Sequence, residues 1–466
     1  MKIHLLCDQK WRDLPNLCAL KLALENMGHK VLASTTRDAR ALISAWAPDC
    51  VVLNNLVTPE NQTLTDLLRQ SRIKVAILPT EGMAGSARPE LGGLVEGEYS
   101  RTWNPDLFLT WSDAAAESLR LRHDWSAARA RATGCARFDF YTPGFAAAIK
   151  PKTAFCKEHG IDPGRPIVTW ATTYAFAELI SDPQYYDSFE RQGTASGVVA
   201  CYAKLGMDIR RFGEAMAFGR DLATQSVMAL ARQRPDWQII IRPHPAEKRK
   251  FYQDHIRKNG LQNVHFAPAD YIWNILNATD LHLHRHCTTA VEAWCWGKPT
   301  IEMAMDNVPE FAWPEREAGS DAVFDLEQLL AVADSRIAKA PIEPPLAAYR
   351  RDYIAKWFGP LDGKNCLRAA QAIDDIARDA RPESRSVIAK NLSVGMLAIA
   401  SSLFNFALNR PPNASLVALE SDQRLDPLDR WARRSDVKQY SAMLQDANVL
   451  GAAAGDRESP ARFVRP

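Results

Sequence analysis

The sequence of 466 residues lacks several features that would each indicate a particular class of protein. Lys and Arg number 57 against 55 Asp and Glu, so the net charge is only +2 and the strongly basic surface of a nucleic-acid-binding protein is missing. None of the nine cysteines belongs to a C-x-x-C pair, which excludes a zinc ribbon or a thioredoxin-type motif. The N-terminus reaches Asp8 after too short an apolar run for a signal peptide. We therefore expect a reducing, cytoplasmic location, with which a peripheral association at the inner membrane is compatible, and no nucleic-acid partner.

Long hydrophobic runs are also missing, because no run approaches the roughly 20 apolar residues of a membrane-spanning helix. The nearest, Val394–Leu408, is short and broken by polar residues, so we predict a packed helix rather than one lying on a membrane surface. Hydrophobic residues make up 47% of the chain and charged residues 24%, as in ordinary globular proteins. The length predicts two or three domains, and it leaves the oligomeric state open.

Short apolar runs alternate with amphipathic segments in the first third of the chain. Helices are predicted over residues 17–27, 38–46, 64–72 and 113–123, and strands over Lys2–Cys7, His29–Ser34, Asp49–Leu53, Lys74–Leu78 and Asp106–Thr110. This alternation predicts a parallel sheet with helices on both faces.

The same alternation returns after Pro151. Helices are predicted over residues 210–234, 246–259, 271–277 and 288–296, and strands over Pro166–Trp170, Gln238–Ile241, Asn263–Ala267, Asp280–His284 and, as the last strand, Pro299–Met303. Residues 172–207 are interpreted as a long loop with short helices.

The predicted fold class is therefore α/β, with two Rossmann-like doubly wound domains that face a cleft and a helical C-terminal extension. The predicted domains are an N-terminal acceptor-side domain (1–150) and a C-terminal nucleotide-sugar domain (151–345). A helical segment (346–380) is expected to cross back over the first domain, and a helical, partly disordered extension (381–466) follows it.

The strongest local signal is Ile239–Pro245, an apolar strand that ends in a proline-restricted turn. The turn presents Arg242 and His244 at the carboxyl end of the strand, where doubly wound domains bind ligands. A histidine held there can donate a hydrogen bond to phosphate or protonate a leaving group near neutral pH. The alternative is a structural histidine that bridges two loops.

A second signal is Leu281–Glu292, where a strand ends near His284 and a helix begins near Thr288. The hydroxyls of Thr288 and Thr289 and the first backbone N–H groups of the helix would face one point, an arrangement that attracts an anion such as phosphate. Ordinary helix capping by threonine is the alternative.

Three histidines, His282, His284 and His286, fall on one face of the extended strand. The flanking leucines indicate a buried strand, and no carboxylate stands at a ligand-like spacing. We therefore predict no metal site.

The third signal is Val75–Gly82, a strand that runs into a turn in the first domain. Glu81, followed by Gly82, would lie at the carboxyl edge of the sheet and could accept a proton from a hydroxyl group. The alternative is a solvated loop glutamate.

Together the three signals resemble the motif set of bacterial sialyltransferase-like GT-B glycosyltransferases. The motifs are Thr80-Glu81-Gly82, Arg242-Pro-His244-Pro245 and Cys287-Thr288-Thr289, in that order. The chain is more closely similar to bacterial surface carbohydrate biosynthesis proteins related to capsule Kdo transferases. The segments that carry this similarity, which spans about residues 1–375, are Thr133–Asp139, Arg242–Pro245, Cys287–Ala293 and Gly297–Pro299.

The resemblance implies an inverting, metal-independent glycosyltransferase that moves a Kdo- or sialic-acid-like sugar from a CMP donor to a glycan or glycoconjugate acceptor. It assigns Glu81 as the base, His244 as the contact to the leaving CMP, and Thr288 and Thr289 as holders of its phosphate, with no cofactor besides the donor. Donors of hydrogen bonds would stabilise the charge that grows on the phosphate, and the two domains would close on each other. The sequence departs from the family at Thr80, where a second acidic residue is usual, and at Cys135-Ala136, where Asn-Pro is frequent.

Several side chains near these motifs have two interpretations. Arg137 could pair with a donor carboxylate or with Asp139, and Glu292 could touch a ribose or be simply exposed. Gly82 and His284 are placed at the same predicted cleft, and Arg242 and Pro245 at the donor.

Two other functions stay open. One is a CDP-glycerol or CDP-ribitol phosphotransferase, which also uses a GT-B scaffold with a His-Pro histidine. The other is a non-catalytic nucleotide-sugar-binding subunit of a polysaccharide assembly complex.

Overall fold

Two parallel β-sheets, one in each of two structural units, organise the chain. The computed structural model describes residues 1–55, 59–80, 105–121, 126–196, 199, 203, 208–244, 247–266, 270–306, 314–409 and 431–451. Unit 1 comprises Met1–Ala148 and the described residues from Ala355 onward, and unit 2 comprises Ile149–Ile354.

Unit 1 contains a six-stranded parallel sheet in the order β2-β1-β3-β4-β5-β6. Its strands are β1 (Lys2–Cys7), β2 (Lys30–Thr35), β3 (Cys50–Leu53), β4 (Lys74–Ile77), β5 (Leu107–Thr110) and β6 (Ala130–Ala132). Its first helices are α1 (Lys10–Asn26), α2 (Ala39–Trp46), α3 (Pro59–Gln70), α4 (Asp113–Arg120) and α5 (Ser126–Arg129). Strands β1, β3 and β5 are almost entirely buried, as expected for parallel strands covered on both faces.

Unit 2 contains a second six-stranded parallel sheet in the order β12-β11-β10-β7-β8-β9. Its strands are β7 (Ile167–Ala171), β8 (Gln238–Arg242), β9 (Val264–Phe266), β10 (Leu281–His284), β11 (Thr300–Met303) and β12 (Asp321–Val323). Its helices are α6 (Lys152–His159), α7 (Glu178–Ser181), α8 (Pro183–Ser196), α9 (Ile209–Gln233), α10 (Arg249–Asn259), α11 (Ile272–Ala278), α12 (Thr288–Cys295), α13 (Pro314–Glu317), α14 (Leu326–Ile337) and α15 (Pro344–Trp357).

The predicted fold class of two Rossmann-like doubly wound units with a helical C-terminal part is confirmed. Several elements differ from the prediction, among them the helices α6 and α14, which were not predicted. The edge strands β6 and β12 were not predicted, because each has only three residues and carries a charged residue (Arg131 and Asp321). The stretch predicted as a long loop with short helices contains the 14-residue helix α8, which starts with a proline. The Tyr185 nitrogen in its first turn donates to the Asp182 side chain at 3.1 Å.

The C-terminal part returns to unit 1 and adds α16 (Asn365–Ala377), α17 (Arg385–Asn391), α18 (Met396–Ala407) and α19 (Arg434–Asp446). The buried Asp139 holds the start of α16, since its carboxylate accepts hydrogen bonds from the backbone nitrogens of Asn365 at 3.0 Å and Cys366 at 2.7 Å. Burial raises the pKa of Asp139 to about 7, although these two N–H donors act in the opposite direction. Asp139 is therefore a structural cap rather than the partner of Arg137.

The prediction that Val394–Leu408 forms a packed helix is wrong with respect to packing. Helix α18 forms there, yet its only buried residue is Ser402, while Met396 and Leu397 are 86% and 88% exposed. No single helix in the described ranges is long and apolar enough to span a membrane, whereas α17 and α18 meet the length and composition limits as a pair bent by 102°.

Gly134 lies where α16 approaches the end of β6, and it has a φ of +87°. A Cβ at this position would lie 1.8 Å from the Asn365 Oδ1 atom, so a side chain can fit only if the Asn365 side chain gives up its place at the start of α16. We expect Gly134→Ala to lower the stability of unit 1 by about 3 kcal/mol or more. Calorimetric unfolding of the full chain measures this loss.

Gly28→Ala is the matched control, because Gly28 also has a φ of +87° but a Cβ there would meet no atom within 4 Å. It should cost only about 1 kcal/mol, the backbone strain alone. Equal losses for the two variants would contradict the close packing of Gly134 against α16.

Candidate functional site

The carboxyl edge of the second sheet brings two of the three sequence motifs to one place. The register aligns Leu283 with Trp170 and Trp170 with Ile241, so β10, β7 and β8 end side by side. The chain moves outward from β7 in both directions along the sheet, which makes the β7–β10 boundary the topological switch point. Open α/β sheets bind ligands in the crevice at this point.

The turn after β8 is fixed by the loop after β7. The Thr172 nitrogen donates to the Arg242 carbonyl at 3.1 Å, and the His244 nitrogen donates to the Thr172 hydroxyl oxygen at 2.9 Å. The His244 side chain is exposed and that of Arg242 is half-buried, whereas Pro245 lies outside the described residues. The backbone around His244 is therefore anchored while its imidazole remains accessible.

A buried carboxyl group, Glu247, supports this turn from below. It is 1% exposed and accepts hydrogen bonds from the Thr172 hydroxyl at 2.7 Å and the Tyr174 nitrogen at 2.8 Å, as well as from the Tyr252 hydroxyl. Burial raises the pKa of Glu247 to about 7, and the hydrogen bonds only partly oppose this effect. Glu247 thus fixes the Thr172 hydroxyl, which in turn fixes the His244 backbone.

The loop after β7 also contacts the segment that leads from β10 into α12. The Thr173 hydroxyl donates to the Arg285 carbonyl at 2.6 Å. The Arg285 guanidinium is buried and forms two hydrogen bonds with Asp306, at 2.6 and 2.9 Å, and one with Glu302 at 3.0 Å. This segment is consequently held by a planar, two-point ion pair of the kind that fixes geometry well.

Glu302, a fully buried acid in β11, gathers several groups at the end of β10. Its Oε1 accepts from the His286 nitrogen at 2.8 Å, and its Oε2 lies 2.9 Å from the Nδ1 atom of His284. Burial disfavours the charge of Glu302, but the nearby His284, His286 and Arg285 outweigh burial and lower its pKa. His286 adopts a left-handed φ of +51°, and burial lowers its pKa to about 3.

His284 is not accessible to a ligand, contrary to its predicted place at the cleft. Its side chain is fully buried, with Nε2 at 2.9 Å from the Ser320 hydroxyl and Nδ1 on Glu302. Both ring nitrogens are therefore engaged inside unit 2.

The two threonines at the start of α12 have different positions. Thr288 is half-buried, whereas Thr289 is 7% exposed and its hydroxyl lies 2.9 Å from the His282 Nε2 atom. The Thr289 hydroxyl thus faces the sheet. Of the polar groups of Thr289, only the backbone N–H lies with Thr288 at the start of the helix. Burial lowers the pKa of His282, and the charges of His284 and Arg242 lower it further.

Glu292 lies one turn into α12 with 1% exposure. Of its two interpretations, the one that makes it a simply exposed residue is therefore wrong. A buried carboxyl group on this helix does not present itself to solvent at the edge of the sheet.

The first motif lies largely outside the described residues, since neither Glu81 nor Gly82 is among them. Thr80 is described and buried, and its carbonyl accepts a hydrogen bond from Arg137 Nη1 at 3.4 Å. Within unit 1, Arg137 therefore reaches the residue that precedes Glu81, and not Asp139.

Among the described residues, one group of three potential metal ligands is close together, formed by Glu158, His159 and Asp270 with their ligand atoms within 4.8 Å. The Lys150 ammonium group donates to Glu158 at 2.6 Å and to Asp270 at 2.8 Å. The lysine supplies the positive charge that a cation would bring to these carboxylates.

Sequence reasoning missed the residues that hold the site together, namely Thr172, Thr173, Glu247, Arg285 and Glu302. Two signals were present in the sequence. Thr172 and Thr173 directly follow the apolar strand β7, and Glu302 interrupts the apolar strand β11. A charged residue in a buried strand requires a partner nearby, which is the role that Arg285 fills.

Among the comparisons with known proteins, the one with solved structures agrees with this architecture. No protein-family model matches the chain, and no curated protein matches it. Among solved structures, a variant of the wall teichoic acid polymerase TagF is similar at a TM-score of 0.51, with 10% identity over 81% of this chain and 89% of that one. TagF soaked with CDPG gives a TM-score of 0.50 at the same identity and coverage. The fold is of the GT-B type.

A third similar structure is the S. aureus MnaA–UDP co-structure. It has a TM-score of 0.49 and 12% identity, over 82% of this chain and 99% of that one. At the 10% identity of the two TagF structures, likeness indicates a shared fold and not a shared substrate.

The buried Glu247 should make the stability of unit 2 depend on pH. Its folded-state pKa of about 7 lies above the ordinary 4.5, so the folded protein retains a proton that the unfolded chain releases as pH rises. The stability that this proton contributes is complete below about pH 4.5 and is lost as pH rises through 7. Between pH 4.5 and 8, wild type should lose on the order of 2–3 kcal/mol relative to Glu247→Gln.

Calorimetric unfolding of both proteins across this pH range measures the difference. Glu214→Gln, which replaces an exposed carboxylate on α9 in the same unit, is the control and should follow wild type. Parallel pH profiles for wild type and Glu247→Gln would show that Glu247 is ionised in the folded state.

Proposed function

We propose that the protein is a GT-B-type transferase that binds a nucleotide-activated donor at the carboxyl edge of the unit 2 sheet. The observation that supports this proposal best is the loop after β7, which ties the His244 turn on one side and the start of α12 on the other. An accessible imidazole and the first N–H groups of a helix thus follow the two strands that flank β7, at the carboxyl edge of the sheet, and both groups suit a phosphate.

For the donor, we propose a CMP-linked Kdo- or sialic-acid-like sugar, as the motif resemblance implies. In such a donor a ketosidic carbon is bonded to a single phosphate, and negative charge grows on that phosphate as the bond breaks. His244, Arg242 and the first turn of α12 at Thr288 would stabilise this charge, so we propose that the reaction needs no metal ion and no cofactor.

For the acceptor, we propose a hydroxyl group of a surface glycan or glycoconjugate, deprotonated by Glu81. Attack of that oxygen on the anomeric carbon breaks its bond to the phosphate and releases CMP, with inversion at the carbon. Glu81 takes the hydroxyl proton.

A CDP-glycerol or CDP-ribitol phosphotransferase is the second candidate, which the likeness to TagF soaked with CDPG favours. That reaction also releases CMP, but the bond that breaks joins two phosphates, and the glycerol phosphate or ribitol phosphate moves as a whole to the acceptor oxygen. The two candidates therefore differ in the product. Phosphorus NMR of the product detects a phosphodiester in the second reaction and no phosphorus in the first.

Cytidine monophosphate should bind unit 2 and raise its unfolding temperature, and UDP should do so less. Since hydrogen bonds to charged groups contribute about 1.5–3 kcal/mol, His244→Ala and Thr288→Val should each weaken CMP binding about tenfold or more. Thermal unfolding measures the change in unfolding temperature, and titration calorimetry measures the CMP affinity of each variant. His255→Ala, which removes a histidine from α10, should leave the affinity unchanged, and a stronger effect of UDP than of CMP would refute the cytidine donor.

Glu81→Gln tests the proposed base, because the amide keeps the shape of the side chain but accepts no proton. Turnover should fall by about 10²–10⁴ while CMP affinity stays near wild type. Glu117→Gln, an exposed change in unit 1, is the control and should retain turnover. Undiminished turnover of Glu81→Gln would leave Glu81 as a loop carboxylate, and lost CMP binding would place it at the donor instead.

A further inference from the structure

Helix α18 exposes its apolar residues and buries a polar one. The exposed fractions are 86% for Met396, 88% for Leu397, 43% for Leu403, 55% for Phe404 and 48% for Leu408, which directly follows the helix. Ser402 is the buried residue. This pattern is the reverse of that of an ordinary surface helix, whose apolar face contacts the core.

The exposed apolar residues form one continuous face. At about 100° of rotation per residue they fall within an arc of roughly 140°, with Ser402 on the opposite side. Ser402 forms a hydrogen bond with Asp38, a largely buried residue at the start of α2, and burial raises the pKa of that carboxyl group. The polar side therefore attaches α18 to unit 1, which leaves the apolar face directed outward.

A cleft of about 510 Å³ adjoins this face between α18 and the surface formed by β2 and α2. Leu403 and Phe406 line it from α18, and Leu42 and Trp46 line it from α2. Lys30, an exposed residue of β2, and Glu25, which forms an ion pair with Lys21 at 2.6 Å, also line the cleft. The apolar surface thus continues from the helix into a groove that carries one cation and one anion in its lining.

The segment that carries the apolar face contains basic residues and no acidic ones. Residues 384–409 contain Arg385 and Lys390 but no Asp or Glu, and both cations are exposed. From α19, the Arg434 guanidinium lies 5.7 Å from the centre of the Phe406 ring. An outward apolar arc on a segment whose charged residues are all basic matches the two components of an anionic bilayer, its acyl chains and its headgroups.

We propose that this face, formed by Met396, Leu397, Leu403, Phe404 and Leu408 with Arg385, Lys390 and Arg434, docks unit 1 on an anionic lipid surface. Helix α18 lies flat in the headgroup region, its apolar arc contacts the acyl chains, and the cations contact lipid phosphates. The excess of cations over anions on this segment favours this occupant over a second copy of the chain, because two copies would bring their cations together. This inference does not depend on the proposed donor or reaction.

Vesicle flotation of the full chain tests the proposal. Wild type should float with vesicles of equal parts phosphatidylglycerol and phosphatidylcholine, and less with phosphatidylcholine alone or at high salt. Leu397→Glu/Phe404→Glu should lower the partition coefficient at least tenfold, because it places two carboxylates in the acyl region. Circular dichroism should show unchanged helix content, as both side chains are exposed.

Leu121→Glu/Phe324→Glu is the matched control, with 77% and 54% exposure at these positions and the same change of charge. It should float like wild type. Failure of wild type to float, or an equal loss in the control, overturns the proposal. A wild-type dimer that Leu397→Glu/Phe404→Glu dissociates, with no binding to vesicles, assigns the face to a second copy and also overturns it.

Discussion

The arrangement of unit 2 depends on one hydroxyl group, that of Thr172. It donates to the buried Glu247 and accepts from the backbone nitrogen of His244, so it links a fixed carboxyl group to an exposed turn. Its neighbour Thr173 contacts Arg285, which fixes the approach to α12. These contacts lie at the carboxyl edge of the sheet and fix two segments that are far apart in the chain, one on each side of β7.

The charged groups beneath this edge hold the neighbouring loops in position and are not themselves placed at the edge. Glu247 and Glu302 are both buried, and burial favours a raised pKa for each, yet the net pKa shift is upward for Glu247 and downward for Glu302. Glu247 has hydroxyl and amide partners and retains its proton more readily, whereas Glu302 faces Arg285 and two histidines and loses it. Buried polar groups with satisfied partners make the loops rigid, and a rigid donor set needs little reorganisation when charge develops on a ligand.

The two C-terminal helices α16 and α18 are attached to unit 1 in different ways. Helix α16 is integrated into unit 1 through the Asp139 cap and the close approach of Gly134, whereas α18 is attached by a polar contact and leaves its apolar arc outside. One unit thus combines a segment that completes its core with a segment that offers a surface.

The sequence alone determined the α/β class, ten of the twelve strands in the described residues, and the positions of Arg242 at a strand end and of His244 and Thr288 after strand ends. These features are local, since the period of apolar residues and the turn chemistry are written in consecutive positions. Only the tertiary structure decided the inward direction of Thr289, the burial of Glu292 and His284, and the support of His244 by Glu247 through Thr172. These side-chain positions depend on contacts between segments that are distant in the sequence. Thr172 and Glu247, for example, are 75 residues apart. The outward face of α18 was also beyond the sequence, because a segment that is apolar on most sides has no stripe that marks the side facing the core.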